Sequence, residues 1–379
     1  REARAIARDL GFPVLVRPSY VLGGRGMEII YNEGQLASYA EAAPPILPEA
    51  PLLVDRYLRG LEVEVDAVFD GQDILIPGIF EHIERAGIHS GDSISVYPTQ
   101  TLAADMEVRL AELTEAIARE LQIRGLINIQ FVIHEGRPYI LEANPRASRT
   151  VPIISKATGV NIVAAATRIA LGERLAEMKY GVGLRPRAPF CVVKVPVFSF
   201  AKMRGVETIL GPEMKSTGEA LGIDFTFAGA LRKGFVAAGV RLPELGGHIL
   251  ATIADQSKAD AIPVLRRYAD LGFALYATEG TQAALQRAGI PAQRINKIAG
   301  GSPHTLDLIT SRAVDLVIND ASGPREINDS YRIRRAAVEA NIACLTSLDT
   351  ANALVDALES TAGPPRTLQE YRALEVALR

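Results

Sequence analysis

Two runs, Asn128-Ile129-Gln130-Phe131 and Leu141-Glu142-Ala143-Asn144-Pro145-Arg146, decide how this chain is read, and the turn-like His134-Glu135-Gly136-Arg137-Pro138 joins them as a hairpin. Strand side chains alternate between faces, so Glu142 and Asn144 share one face while Tyr139, Leu141 and Ala143 take the other. Gln130 can occupy the same polar face of the partner strand. One carboxylate and two amides offer hard oxygens, which suit Mg2+ held jointly with nucleotide phosphates. Arg146 and Arg149, just past the second strand, can neutralise charge on a transferring phosphoryl group. A polar, solvated hairpin face is the alternative that this pattern alone leaves open.

Three further stretches gain meaning beside the hairpin. Val14-Leu15-Val16-Arg17-Pro18-Ser19-Tyr20-Val21-Leu22-Gly23-Gly24-Arg25-Gly26 reads as a strand ending in a glycine-rich turn. Glycine lets backbone approach phosphate closely and Arg17 can pair with it, although a simple tight turn fits the same residues. The Gly-Lys-Ser/Thr ending of a Walker loop is missing. Leu61-Glu62-Val63-Glu64-Val65-Asp66 alternates strictly and puts three carboxylates on one face, the usual pattern of a solvent-facing edge strand. Ribose hydroxyls or basic groups could equally be their partners. Glu81-His82-Ile83-Glu84 and Gly87-Ile88-His89-Ser90-Gly91-Asp92-Ser93 collect titratable and small residues in a loop. Its two histidines lack a third ligand at zinc spacing.

The order of elements divides the chain in two. Strand patterns at 14–16, 27–31, 61–69, 74–80, 126–133 and 139–141, with a helix at 104–121, predict an α+β layout built on antiparallel strands. Residues 152–171 read as helical, 191–197 as a strand, and 213–221 and 227–238 as helices. A break at 242–247 then gives way to regular alternation. Strands at 248–253, 273–276 and 314–319 alternate with helices at 258–270, 281–288 and 327–339, which predicts an α/β doubly wound parallel sheet. The expected domains are therefore 1–242 and 243–379.

Composition narrows the partners. A formal net charge of −3 and the lack of a Lys/Arg run argue against nucleic acid or an anionic membrane surface. No apolar stretch reaches the roughly 20 residues of a membrane span, and no secretory leader pattern opens the chain, so a cytoplasmic location is the expectation. Cys191 and Cys344 lie in apolar runs of different halves and read as buried thiols. The chain opens at Arg1 in a helical pattern, as a cut through a longer protein would.

In the second half, polar residues gather near strand ends: Thr252 with Lys258, Thr278-Glu279-Gly280-Thr281, Lys297, and Asn319 with Ser322-Gly323. Hydroxyls, a lysine and helix N-terminal amides make a phosphate pocket, with ordinary helix capping as the alternative.

Several of these motifs, in one order, resemble the large subunit of carbamoyl phosphate synthetase. They are Arg17-Pro18-Ser19-Tyr20 with Gly23-Gly24, Glu62 to Asp66, Glu81 to Ser93, Asn128 to Gln130, Glu142 to Thr150, Ser155-Lys156-Ala157-Thr158-Gly159, and Gly211 to Glu219. The resemblance implies an ATP-grasp domain, the second of two in that family, followed by a methylglyoxal synthase-like domain. It implies ATP- and Mg2+-dependent phosphorylation of carbamate, in arginine and pyrimidine biosynthesis, with Mn2+ as an alternative metal and K+ as a further cation. Gln130, Glu142 and Asn144 would hold metal. Arg17, Arg56, Leu58, Glu62, Gly87, Ile88, His89 and Ser90 would line the nucleotide, joined by Gln130 and Glu142, and Arg146 and Arg149, with Asn144, would face the transferring phosphate.

The implied partners are the N-terminal half of the large subunit and a small glutamine amidotransferase subunit, in an oligomeric enzyme. UMP or IMP would be the effector at Thr252, Lys258, Thr278, Thr281, Lys297 and Asn319, and UMP is expected to bind the segment 246–379 by itself. Methylglyoxal synthase carries a catalytic Asp after a Gly-Gly pair, where this chain reads Gly300-Gly301-Ser302, so binding rather than catalysis is expected there. Glu84 and Asp92 match parts of the family's ornithine site, but Val195 stands where a Glu is expected. Another ATP-grasp ligase, or a nucleotide-binding module without catalysis, are the competing readings.

Overall fold

A computed structural model describes residues 2–20, 23–42, 51–203, 205–320 and 329–378. Among the described residues the strands form three sheets. A small antiparallel sheet places Val14–Pro18 between Glu28–Ile30 and Leu52–Arg56, with Ala7, Val14, Val16, Ile30 and Leu36 as its core. The largest sheet is built around Leu61–Phe69, which pairs antiparallel with Gly125–His134, Ile79–His82 and Ile74–Ile76. Val63, Val65, Ala67 and Phe69 face one side of it and pack with Leu110 and Ala118 of the helix Ala104–Glu120. That helix carries Asp105 and Glu107 in its first turn and Arg119 in its last, the favourable sense for its dipole.

The other face of Leu61–Phe69 corrects the sequence reading. Glu62, Glu64 and Asp66 are buried, at 2, 2 and 1% exposure: strands pair on both sides and leave no edge, and His82, Asn128, Ser148 and Thr150 pack on the carboxylate face. Residues 213–221, expected as a helix, instead lead into the strand Gly218–Asp224, which pairs along its length with Cys191–Val197. Gly222 explains why extended chain wins there: a Cβ would sit 2.0 Å from the Ala230 carbonyl oxygen of the helix Phe227–Ala237. The helical stretch expected over 152–171 is two helices, Thr150–Thr158 and Ile162–Ala170, separated at Gly159, whose φ of 73° ends the first.

The last sheet is parallel throughout, in the order Gln293–Ile295, Ala274–Thr278, His248–Ile253, Leu316–Asp320, Ala343–Leu345. Its core continues into the preceding elements: Ile94, Val96, Val193, Val195 and Phe235 belong to one apolar cluster with Ile249, Leu275 and Leu354. Cutting the chain at residue 246 would expose that shared surface, so experiments on ligand binding belong on the whole chain. Cys191 and Cys344 are free thiols, and burial raises both pKa values, Cys344 to about 12. Among the described residues no helix is long and apolar enough to cross a membrane.

Candidate functional site

The hairpin forms as its alternation requires. Gly125–His134 and Arg137–Asn144 pair through a two-residue turn at Glu135 and Gly136, both at positive φ. Gln130 stands opposite Glu142 and Asn128 opposite Asn144. Gln130 Nε2 donates to Glu142 Oε1 at 3.0 Å, and Asn144 Nδ2 donates to the same oxygen at 2.8 Å. A bulge between Gln130 and Phe131 shifts the alternation, so that Phe131 is paired with Ile140 and Tyr139 with Val132. Tyr139 therefore does not lie on the face away from Glu142, as strict alternation predicted.

The three side chains converge on one carboxylate oxygen, and turning either amide over presents oxygen instead of N–H. That donor set fits a hard divalent cation whose remaining ligands are phosphates and water. No cluster of three or more His, Cys, Asp or Glu groups among the described residues competes for it.

On the same face, one strand over, lies the buried acid row. His82 sits between Glu62 and Glu64, with Nδ1 3.4 Å from Glu62 Oε1 and Nε2 3.4 Å from Glu64 Oε2. Burial pushes Glu62 up to about 7 against the pull of His82. It acts on Glu64 in the same sense, but the hydrogen bond and charge of His82, with Lys194 behind, hold that carboxyl below its ordinary range. Asp66 is raised by burial and by the Glu64 charge, although it accepts from Asn128, Ser148 and Thr150. Asn128 also donates to Glu64 at 2.7 Å, and its Oδ1 lies 3.5 Å from Asn144 Nδ2, which ties the acid row to the hairpin face.

The loop 87–93 closes over the hairpin. Ser90 Oγ accepts from Gln130 Nε2 at 2.9 Å, and the buried Lys194 donates to the Ser90 carbonyl at 2.7 Å. Burial lowers the pKa of His89, and its Nδ1 accepts from Gly91 N–H. Asp92, with no exposed surface, receives the N–H groups of Lys215 and Ser216, each at 2.8 Å. Ser216 in turn holds Arg149. Arg149 thus points at the loop, whereas Arg146 is exposed and donates to the Ala147 carbonyl.

A cavity of 970 Å³ opens between the small sheet, this loop and the parallel-sheet domain, lined by Ile29, Tyr57, Gly87, Ile88 and Pro212 among others. Glu62 is buried in the strand Leu61–Phe69, and Leu58 is half-buried in the connection to that strand, between the cavity-lining Tyr57 and Arg59. Arg17 is turned to Asp55, 2.9 Å away, and Arg56 is exposed at a strand end.

At the carboxyl ends of the parallel sheet, Asn319 Nδ2 donates to Thr252 Oγ1 at 2.6 Å, and Thr281 Oγ1 meets the Ile253 backbone. Lys258 is paired with Asp255 and lies beside Gly280 at the start of the helix Glu279–Arg287. Thr278 precedes that helix without a side-chain cap bond, and Lys297 lies near enough to Asp255 to act on its charge. Ser322 and Gly323 fall outside the described residues.

Residues 1–178 match the family described as Carbamoyl-phosphate synthase L chain, ATP binding domain, and residues 260–346 match the MGS-like domain. The chain carries both of these domains in that order. It is 50% identical over 361 residues to the carbamoyl phosphate synthase large chain of Agathobacter rectalis, covering 95% of this chain and 34% of that one, so it spans about a third of that relative's length. Among solved structures it is similar to the biotin carboxylase domain of the Hydrogenobacter thermophilus 2-oxoglutarate carboxylase, at 22% identity and a TM-score of 0.49 over 62% of this chain and 58% of that one. The biotin carboxylase domain of a single-chain bacterial carboxylase is similar at 19% identity and a TM-score of 0.47, over 62% and 56%.

The sequence pattern singled out nothing at Tyr57, and it held Asn128, Asp66 and Ser216 only inside longer motifs, without the contacts that the structure gives them. Tyr57 lines the cavity, donates to the Ala86 carbonyl and is pushed by burial to about 12. Only the spacing of Asn128 from Gln130, one turn of the strand repeat, could have signalled its face.

The glycine turn makes a sharp prediction. Gly24 has a φ of 71°, and a Cβ there would lie 1.9 Å from the Pro212 carbonyl oxygen. Gly24→Ala is therefore expected to force residues 23–26 away from 212–214 and to raise the Kd for MgADP about tenfold, measured by calorimetry. An unchanged Kd would remove the turn from the candidate site.

Proposed function

We propose that this chain carries the carbamate-phosphorylating half-site of a carbamoyl phosphate synthase, with a nucleotide effector pocket in its MGS-like domain. The observation that carries the reading is the convergence of Gln130, Glu142 and Asn144 on one oxygen, under a loop tied to Arg149, in a chain half identical to a synthase large chain. In this reading those three side chains would hold Mg2+ or Mn2+, which would supply positive charge to offset that of the phosphates. Gly87, Ile88, His89, Ser90 and Glu62 line the nucleotide, with Leu58, Arg56 and Arg17 at its margin. A carbamate oxygen attacks the γ-phosphorus, and the bond to the β-phosphate oxygen breaks to release ADP. Such a transfer needs alignment and charge neutralisation rather than a protein nucleophile. The reading gives the second task to Arg149, held beside the loop by Ser216, while Arg146 would reach a phosphate only by leaving the Ala147 carbonyl.

The rest of the enzyme follows from the same reading: an N-terminal half, an amidotransferase subunit supplying ammonia from glutamine, an oligomeric assembly, a cytoplasmic setting, and a place in arginine and pyrimidine biosynthesis. K+ is the added cation to vary.

An acyl-phosphate panel tests the substrate. With MgADP and this chain, carbamoyl phosphate is expected to support ATP formation at least about tenfold faster than acetyl phosphate. Equal or faster use of acetyl phosphate would move the reading to another ATP-grasp ligase.

The effector reading assigns Thr252, Lys258, Thr278, Thr281, Lys297 and Asn319 to a nucleoside monophosphate such as UMP or IMP. Hydroxyls, two lysines and the amides at the start of Glu279–Arg287 are suited to a phosphate. Lys297→Ala is expected to weaken UMP binding to the whole chain by about tenfold in calorimetry, the loss of one charge-assisted phosphate contact. An unchanged Kd would take Lys297 out of the pocket.

A further inference from the structure

One buried arginine bridges Asn319, at the carboxyl ends of the parallel sheet, and Glu207, in the connection 198–217. Arg334, 3% exposed on the helix Asp329–Glu339, faces both ways. Its NH1 donates to Asn319 Oδ1 at 2.7 Å, and Asn319 donates onward to Thr252. Its Nε and NH2 fork onto Glu207 Oε1 and Oε2 at 2.8 and 2.6 Å. The bidentate geometry is the strongest and most directional form of this pair.

Glu207 lies in the connection between the paired strands Cys191–Val197 and Gly218–Asp224. Its Oε1 also accepts the N–H groups of Thr208 and Ile209, at 2.7 and 3.0 Å, which fixes the backbone that follows. Downstream, the Gly211 carbonyl accepts His89 N–H at 2.8 Å and Met214 N–H donates to Gly23. Ser216, bound to Asp92, holds Arg149. Residues 207–217 therefore touch the glycine turn, the loop 87–93 and the phosphate-facing arginine, and their far end is clamped by Arg334. A second arginine, Arg335, donates to the Phe200 and Met203 carbonyls and steadies the same connection.

We infer that Arg334 and Glu207 position residues 207–217 over the nucleotide site and carry occupancy of the phosphate pocket to it. The inference rests on the two ligand sites proposed above. A ligand bound against Asn319 competes for, or reinforces, the orientation of the Arg334 guanidinium. Any change there is transmitted through a fork with two fixed bonds rather than through a flexible contact. Coupling of this kind is reciprocal, so ADP and the effector must alter each other's affinity equally.

Calorimetry on the whole chain tests it, with MgADP titrated in the absence and presence of saturating UMP. In the wild-type chain UMP is expected to change the ADP Kd about fivefold. Glu207→Gln keeps the side-chain volume and an acceptor for Thr208 and Ile209 but loses the charged fork. It is expected to weaken ADP binding about threefold and to bring the UMP-induced ratio close to one, while UMP itself still binds, since Glu207 contacts none of the pocket residues. Arg334→Lys, which keeps the charge near Glu207 but cannot fork to Asn319 as well, is expected to reduce the ratio with a smaller effect on ADP. An ADP affinity and a UMP-induced ratio in Glu207→Gln equal to those of the wild type would overturn the inference. UMP that binds the wild type without shifting ADP would overturn the coupling. A wild-type chain that fails to bind UMP would instead overturn the effector reading, and the ADP comparison would then decide the positioning role alone.

Discussion

Glu142→Ala is expected to lower ATP formation from ADP and carbamoyl phosphate by about a thousandfold while leaving the fold unchanged. Glu142 contributes the one carboxylate among the three converging side chains, and both amides aim at its Oε1. Without it, Gln130 and Asn144 keep only neutral oxygens, too weak alone to hold a divalent cation against water. The side chain is exposed, so its removal leaves no cavity and no buried polar group. Glu142→Gln, which keeps the shape and removes the charge, should show nearly the same loss. Turnover within a few fold of wild type in both variants, at unchanged thermal midpoint, would remove Glu142 from the site.

Asp66→Ala is expected to cost stability instead, about 2–4 kcal/mol in a urea titration. The carboxylate accepts from Asn128, Ser148 and Thr150, drawn from one strand and from the start of the helix Thr150–Thr158. Deleting it leaves Asn128 with Glu64, and Ser148 with Thr150, but strands the remaining donors away from water. The pH dependence has a definite sign. Burial raises the Asp66 pKa, so the native state binds that proton more tightly than the unfolded chain. Stability then falls as pH rises from the ordinary carboxylate range towards neutrality. Glu62, pushed to about 7, contributes in the same sense, and Glu64, held low, in the opposite one. Asp66→Asn removes one of the falling contributions, and the Ser148 and Thr150 hydroxyls can rotate to accept from its amide. It should therefore lose less stability than wild type between pH 5 and pH 8, and an unchanged slope would contradict the protonation argument.

What could be read from the sequence depended on whether the deciding contact was local. The hairpin was legible because alternation alone puts Gln130, Glu142 and Asn144 on one face, and the helix Ala104–Glu120 because its apolar positions recur at helical spacing. The strand Gly218–Asp224 was not, because Glu219, Ala220 and Leu221 favour helix and only pairing with Cys191–Val197 overrides them. Glu62, Glu64 and Asp66 read as a solvated edge because nothing nearby in sequence announces the flanking strands or the His82, Ser148 and Thr150 side chains that cover them. The Arg334–Glu207 fork joins residues 127 positions apart, and charge pattern gives no hint of such a pair. Arg146 and Arg149 looked equivalent three residues apart, yet only Arg149 meets a partner from the 207–217 connection.

The measurement that most directly tests the proposed phosphoryl-transfer site is ATP formation from carbamoyl phosphate and ADP, followed with and without Mg2+ in a preparation shown by calorimetry to bind MgADP. The account predicts ATP formation that requires the metal and is lost in Glu142→Ala. A chain that binds MgADP tightly yet forms no ATP, or forms it equally well without Glu142, would contradict it.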